Sequence, residues 1–411
     1  MTDKGTQGPL RSATSISRRR YLKESALASA VVAIPYLADK SVAFGKESTT
    51  SSAKAAKAAD AKLDRALEKL VGMRGGPPGV IAIVQRGEHL SVHRFGVANV
   101  KSGRPMRIDD HMRIASAAKA FSGAVALSLV SQGKLSLDDT IGKHLPELPE
   151  AWHEVTLRQL LNHTSGIPDF SLDPGFQKAL LASLTQAPPP EELLSFVEDE
   201  PLSFEPGSEY RYSNSDNIVV ALMVEEATAN TYEQQLRKQV YKPLGLKNTS
   251  LPAGAQLPEP FIHGYDTSEQ PPEDVSELVA AGWAWASGGI VSTPADLNTF
   301  IRAYVGGRLF GSKTRAQQRR VIEGGSSEPP GPGENSAGLA LFRYETKCGT
   351  VWGHTVNTPG YTQFMAASGD GRRSVTVSVN SQHTPEPPVG EPAVFEALRR
   401  AEELAVCAAL A

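Results

Sequence analysis

Strand-like patterns lie near both ends of this 411-residue chain and are missing from its long middle. Residues 80–85 and 90–97 are apolar, β-branched runs around the turn Arg86-Gly87-Glu88. Strand patterns return at 339–345, 351–356, 362–368 and 374–380, the last pair joined by Gly369-Asp370-Gly371, a good hairpin turn. Between them, residues 108–275 read as helices broken by Pro-rich loops such as Ala187-Pro188-Pro189-Pro190. Strands at both ends around a helical middle predict an α+β fold: an antiparallel sheet flanked by helices, with a mostly helical domain inserted. The sheet domain is expected to span 61–107 and 276–411, and the helical domain 108–275. A helix is expected at 61–73, where Leu63, Leu67 and Leu70 share a face, and another at 392–410. No internal repeat is visible.

Composition narrows the function. Hydrophobic residues make up 40% and charged residues 21%, enough to bury a core and to exclude pervasive disorder. The net charge of −3 argues against a broad nucleic-acid-binding surface. Two cysteines exclude a disulfide-built miniprotein and a multi-cysteine zinc scaffold. No apolar run approaches the ~20 residues of a membrane-spanning helix. An enzyme or a binding protein remains.

The first residues read as an address. Ser17-Arg18-Arg19-Arg20-Tyr21-Leu22-Lys23 precedes a mildly apolar stretch at 26–38 and then Ser41-Val42-Ala43. Basic segment, apolar segment and small-x-small site come in the order of a secretory signal. The bland alternative is an amphipathic helix with a basic start. Consecutive arginines followed by Leu and Lys look like the twin-arginine type. Residues 1–43 are therefore expected to be a signal peptide, and 44–60, rich in Ser, Thr, Ala and Lys, a flexible lead-in. Resemblance to twin-arginine signals implies export of an already folded protein, secreted or otherwise extracytoplasmic. Cleavage after Ala43 removes seven Lys/Arg and three Asp/Glu, leaving a more acidic chain. In an oxidising exterior, two cysteines can pair.

The chemistry rests on three short patterns. Neither Gly-x-Ser-x-Gly nor His-Glu-x-x-His nor a paired Cys-x-x-Cys occurs. His89 and His93 fall on an expected strand as surface or packing residues, so no metal site is expected. Ser-x-x-Lys occurs at Ser51/Lys54, Ser116/Lys119 and Ser131/Lys134. Ser51 lies in the lead-in, and Ser131 lies near a helix end before Gly133. Ser116 instead opens the small, apolar helix Ser116-Ala117-Ala118-Lys119-Ala120-Phe121-Ser122-Gly123-Ala124. Such a helix is buried on most sides, and a lysine there is costly unless it is used. Lys119 lies one turn from Ser116, and a desolvated lysine can act as a neutral base. The competing reading is a capping serine with a snorkelling lysine. The second pattern is Tyr212-Ser213-Asn214, where Tyr can relay a proton if neighbouring cations lower its pKa. Alone, it reads equally as a polar turn before a helix. The third is Gly353-His354-Thr355-Val356-Asn357-Thr358-Pro359-Gly360, where backbone N–H groups could complete an oxyanion hole. Alone, it reads as a strand and a Pro-Gly turn.

Taken together and in order, the patterns resemble the active-site-serine penicillin-recognising enzymes. More closely, they look like the secreted serine D-alanyl-D-alanine carboxypeptidase and class C β-lactamase-like group. The resemblance covers roughly residues 62–408. It includes Arg113-Ile114-Ala115-Ser116, Leu160-Leu161-Asn162-His163-Thr164-Ser165-Gly166, Pro243-Leu244-Gly245-Leu246 and Ser287-Gly288-Gly289-Ile290-Val291-Ser292-Thr293-Pro294. It implies a β-lactamase/transpeptidase-like fold. Ser116 would attack the penultimate D-Ala carbonyl of a peptidoglycan stem peptide, Lys119 would take its proton, and Tyr212 would pass a proton to the leaving D-Ala. Asn214 would position Lys119 and the substrate amide, and Trp283 would line the cleft. His354 and Thr355 would bind the substrate's terminal carboxylate. The N–H groups of Ser116 and Asn357 would form the oxyanion hole. Penicillin would acylate the same serine. Neither metal nor organic cofactor is implied, and the mature protein is expected as a monomer without a membrane span. Cys348 and Cys407 are similar to a disulfide pair of the secreted carboxypeptidases.

Two departures matter. Val356 replaces the usual glycine of the third motif, where a β-branched side chain would narrow the cleft or push the strand away. The usual carboxylate-pairing arginine falls by counting on Leu341, with Arg343 two residues on, so that role is not assigned. The leading expectation is the carboxypeptidase. The alternatives are a β-lactamase, an esterase or D-aminopeptidase of the same fold, and a penicillin-binding sensor that hardly turns over.

Overall fold

The structure, a computed structural model, describes residues 49–268, 270–385 and 392–411. The expected signal peptide and its cleavage site lie outside the described residues.

Helix α1 spans Thr49–Val71. Over 49–60 it replaces the flexible lead-in expected at 44–60; residues 44–48 lie outside the described residues. The stretch 49–60 holds neither Gly nor Pro and is rich in Ala and Lys, good helix formers. Tertiary contacts fix it too: Arg86 pairs with Asp60, and Ala59 packs against the core below. Strands β1 (Gly79–Arg86) and β2 (His89–Asn99) follow, then a short β3 (Arg104–Pro105). Helix α2 covers Ala117–Ser131, α3 Asn214–Thr228 and α4 Pro294–Gly306. The remaining strands of the large sheet are β4 (Ile322–Glu323), β5 (Glu334–Ala337), β6 (Phe342–Thr346), β7 (Gly349–Thr358), β8 (Tyr361–Ala367) and β9 (Arg373–Val379). Helix α5 (Pro392–Leu410) closes the chain. The strand expected over 339–345 begins only at Phe342, and a separate strand precedes it at Glu334–Ala337. Gly338 N–H donates to the Leu341 carbonyl, and Ala340 is left-handed at φ 50°, so a tight turn separates β5 from β6.

The nine strands form one sheet in the order β3-β2-β1-β9-β8-β7-β6-β5-β4. β1 pairs antiparallel with β9, Val80 opposite Val379, so strands from near both ends of the chain meet inside it. Period-two alternation gives the sheet two apolar faces. Val80, Ala82 and Val84 join Val375, Val377 and Val379 under α1 and α5. Ile81, Trp352, Val356 and Met365 belong to the larger core with α2, α3 and α4. Helix α2 is buried from Ala117 through Leu129. Gly123 allows its close approach: a Cβ there would lie 2.2 Å from the Ala340 Cβ. No helix among the described residues is long and apolar enough to cross a membrane.

The two cysteines are joined. The Cys348–Cys407 bridge ties the turn between β6 and β7 to α5, with Cα atoms 5.1 Å apart. This is the pairing that the resemblance implied.

Candidate active site

Ser116 stands at the junction of a strained turn and a buried helix. Ala115 before it has φ 34°, a region L-residues adopt only when the surroundings impose it. Ser116 is the N-cap of α2 but makes no side-chain cap hydrogen bond, so the capping reading fails and its hydroxyl is free for chemistry. The first ladder bonds run from the N–H groups of Ala117, Ala118 and Lys119 to the carbonyls of Ile114, Ala115 and Ser116. They leave the Ser116 N–H outside the ladder, as an oxyanion donor requires.

Lys119 is 1% exposed, which rules out snorkelling. Its Nζ lies 3.3 Å from Ser116 Oγ, and donates to Asn214 Oδ1 at 2.7 Å and to the Ser287 carbonyl at 2.8 Å. A neutral amine has two N–H groups and one lone pair; the two carbonyls use the former, leaving the lone pair for the serine hydroxyl. Burial drives the Lys119 pKa down to about 7, against the opposing pull of Asp169, Glu328 and Asp216. As a general base it would be half deprotonated near neutrality. The sign follows: protonation removes the lone pair, so kcat/KM falls about tenfold per pH unit below about 7. A pH profile of acylation that stays flat from about pH 5.5 to 8 would contradict Lys119 as the base.

Asn214, the first residue of α3, fixes that geometry. Its Nδ2 donates to Asp169 Oδ2 at 2.9 Å and to Ser171 Oγ at 3.0 Å. The amide cannot turn over, so its oxygen must face Lys119. Asp169 also accepts from the Asn214 and Ser171 N–H groups. Asp169 was not foreseen from sequence; its place in Pro168-Asp169-Phe170 reads as an ordinary helix cap.

Tyr212 reverses one expectation. No cation lowers its pKa. Burial raises it well above the usual phenol value, with Ser116 as the opposing hydrogen-bond partner and Glu328 and Asp169 reinforcing the rise. Its buried hydroxyl completes no well-aligned hydrogen bond in the resting site. Lys119 Nζ lies 4.9 Å from its ring centroid. Tyr212 is thus a neutral phenol, suited to donate or relay a proton rather than to act as a phenolate. Behind it, the His163 ring lies 4.6 Å from the Tyr212 ring, and His163 Nδ1 meets Asp216 Oδ2 at 2.8 Å. Burial takes His163 down to about 3, so this support is uncharged on the imidazole side.

The third motif departs further. His354 is fully buried, with its ring edge-on to Phe342. Burial lowers its pKa to about 3, so it cannot offer a positive charge to a carboxylate. Thr355 Oγ1 donates to Ser327 Oγ at 2.6 Å, under the loop 326–331. Both side chains are closed off from the substrate role expected of them. Asn357 is half-buried and its Oδ1 accepts from Thr362. Val356 is 0% exposed and packs into the larger core, so it does not narrow the cleft. Val356→Ala is accordingly expected to cost about 1–3 kcal/mol of stability without raising turnover; a faster, equally stable variant would refute this placement. Trp283 is 6% exposed, edge-on to Phe176, with Nε1 donating to the Ser183 carbonyl at 3.0 Å. It is a wall-packing residue rather than an open ligand surface. Leu341 is buried and apolar, while Arg343 pairs with Glu323 at 2.8 Å and Glu345 at 3.3 Å. Neither is placed to pair with a substrate carboxylate.

The field of the site is acidic. Lys119 is the one Lys or Arg among the charges that act on Tyr212, His163, Asp216, Glu328 and His354. Among the described residues, no group of three His, Cys, Asp or Glu is placed to hold a metal.

A serine, a buried lysine of lowered pKa and a neutral tyrosine thus meet beside the large sheet. The beta-lactamase family matches residues 63–399, and the chain belongs to it. It is 25% identical over 321 residues to penicillin-binding protein 4* of Bacillus subtilis, covering 75% of this chain and 69% of that one. It is 31% identical over 182 residues to a D-aminopeptidase of Brucella anthropi, covering 43% of this chain and a third, 33%, of the relative. Among solved structures, a D-stereospecific amidohydrolase from Streptomyces sp. superposes with a TM-score of 0.70 at 29% identity, over 82% of this chain and 97% of that one. The D-amino acid amidase of Ochrobactrum anthropi SV3 does so with a TM-score of 0.73 at 25% identity, over 84% and 98%.

Proposed function

We propose that the chain is a D-stereospecific serine amidohydrolase working through an acyl-enzyme on Ser116. Lys119 removes the serine proton as Oγ attacks the amide carbonyl. The N–H groups of Ser116 and Asn357 receive the oxyanion, and Tyr212 relays the proton from the Lys119 ammonium to the leaving amine, so that Lys119 returns neutral and Tyr212 remains a phenol. Water then attacks the ester, with Lys119 and Tyr212 moving the proton in reverse. The observation that carries this reading is Lys119: buried, near neutral pKa and locked between Ser116, Asn214 and the Ser287 carbonyl. The acidic surroundings favour an amide substrate without a terminal carboxylate, since a like charge there is repelled. The named amidohydrolase and amidase support the same class.

A serine D-Ala-D-Ala carboxypeptidase, penicillin-binding and acting on peptidoglycan, is the second reading. It is favoured by the likeness to penicillin-binding protein 4* across most of both chains and by the order of the three motifs. Export through a twin-arginine-type signal would suit either substrate.

One panel separates them. The protein and a Ser116→Ala control are incubated with D-phenylalaninamide, L-phenylalaninamide, a D-Ala-D-Ala peptide, fluorescent penicillin and a chromogenic cephalosporin. Ammonia release from the D-amide alone, lost in the control, is expected. D-Ala release would support the carboxypeptidase, and rapid cephalosporin hydrolysis a β-lactamase. Any turnover surviving in Ser116→Ala would refute the mechanism.

A further inference from the structure

The loop that covers Thr355 is held at four points. The Tyr210 hydroxyl donates to the Ser326 carbonyl at 2.5 Å. Thr355 Oγ1 holds Ser327 Oγ. Gly331 N–H donates to Asn335 Oδ1 at 2.7 Å, and Arg399 on α5 donates to the Pro330 carbonyl. Pro329 and Pro330 add fixed φ angles. Glu328 sits in the middle of this clamp. Its side chain is exposed and forms no hydrogen bond or ion pair among the described residues. Its charge nonetheless acts on Lys119, Tyr210 and Tyr212. It is therefore an unpartnered carboxylate on a rigid loop, within electrostatic reach of the catalytic groups.

We propose that Glu328 binds the free α-ammonium group of the substrate, so that the enzyme takes D-amino-acid amides or peptides with an unblocked N-terminus. This deepens the amidohydrolase reading and rests on it. Three points support it. Asp169 and Lys119 act on the Glu328 carboxyl in opposite directions, and Lys119 is the one cation among these charges. Yet Lys119 must be neutral to act as base, so in the working enzyme Glu328 loses its only nearby cation. A substrate ammonium would supply that missing charge through a charge-assisted hydrogen bond. The clamp also spares the cost of ordering the loop on binding. Asp169 is unavailable for the role, because Asn214 and Ser171 already occupy both its oxygens.

Binding can be tested apart from turnover. In a Ser116→Ala background, D-phenylalaninamide and its N-acetyl derivative are titrated calorimetrically. The free amine is expected to bind at least about tenfold more tightly, the span of one lost charge-assisted bond. Adding Glu328→Gln should bring the two affinities together, and Glu328→Asp should restore part of the preference. Equal affinities without the Gln change, including no measurable binding of either, would overturn the proposal, as would a preference that survives it. The amidohydrolase reading fails separately, if the Ser116 protein releases no ammonia from an amide that the Ser116→Ala protein binds.

Discussion

Lys119→Met should lower the rate of acyl-enzyme formation by about 10²–10⁴-fold, the usual worth of a positioned general base. Methionine matches the lysine stem in length and keeps the buried volume filled. It removes the amine that lies 3.3 Å from Ser116 Oγ. The helix should persist, because Ala117 through Leu129 pack without help from that charge. Thermal stability should hold or rise, since a desolvated amine no longer has to be buried. Single-turnover acylation and a melting curve, measured together, check both halves. Acylation within tenfold of the parent would remove Lys119 from the mechanism. A collapse in stability with the rate loss would mean that Lys119 is chiefly structural.

Removing the disulfide should have the largest effect on stability. The bridge spans a sequence separation of 59 residues, for which chain-entropy reasoning gives about 4 kcal/mol. The Cys348→Ser/Cys407→Ser double variant should therefore unfold at a markedly lower urea concentration than the parent. The folded fraction should keep its activity, because the bridge holds α5 and a turn rather than a catalytic side chain. Reductant should shift the parent's midpoint and leave the double variant unmoved. A parent indifferent to reductant, with the bridge reduced as judged by mass, would contradict the expected contribution.

The parts legible from sequence were local ones. Ser116 and Lys119 sit one helical turn apart in an unusually apolar helix, and Tyr212 and Asn214 sit at the start of another. Each is a short pattern that its own element fixes. The sheet built from both chain ends was legible because hydrophobic alternation is local too. What was not legible depends on remote chain crossing the site. Asp169 is a plain helix cap until Asn214 is laid beside it. Glu328 reads as loop composition until Tyr210, Thr355, Asn335 and Arg399 pin its neighbours. The same loop misled the reading of the third motif, because Ser327 and Pro329 cover Thr355. The α1 extension to Thr49 was missed because a polar, Ala- and Lys-rich stretch serves equally as linker or helix. Only contacts such as Asp60 with Arg86 decide between them.

The pairing of β1 with β9 also bears on how the protein acquires its shape. Residues 79–86 find their central sheet partner in 373–379, after nearly the whole chain has been made. Until then β1 and β2 are a lone hairpin, which is marginally stable at best in water. Contact order is therefore high at the very seam that unites the molecule, which predicts slow folding and a nascent chain with open strand edges. Helix α5 arrives last, lies over that seam and is tethered by Cys407, so the same segment finishes the core and latches it. The sheet cannot be whole until residues 373–379 have joined it.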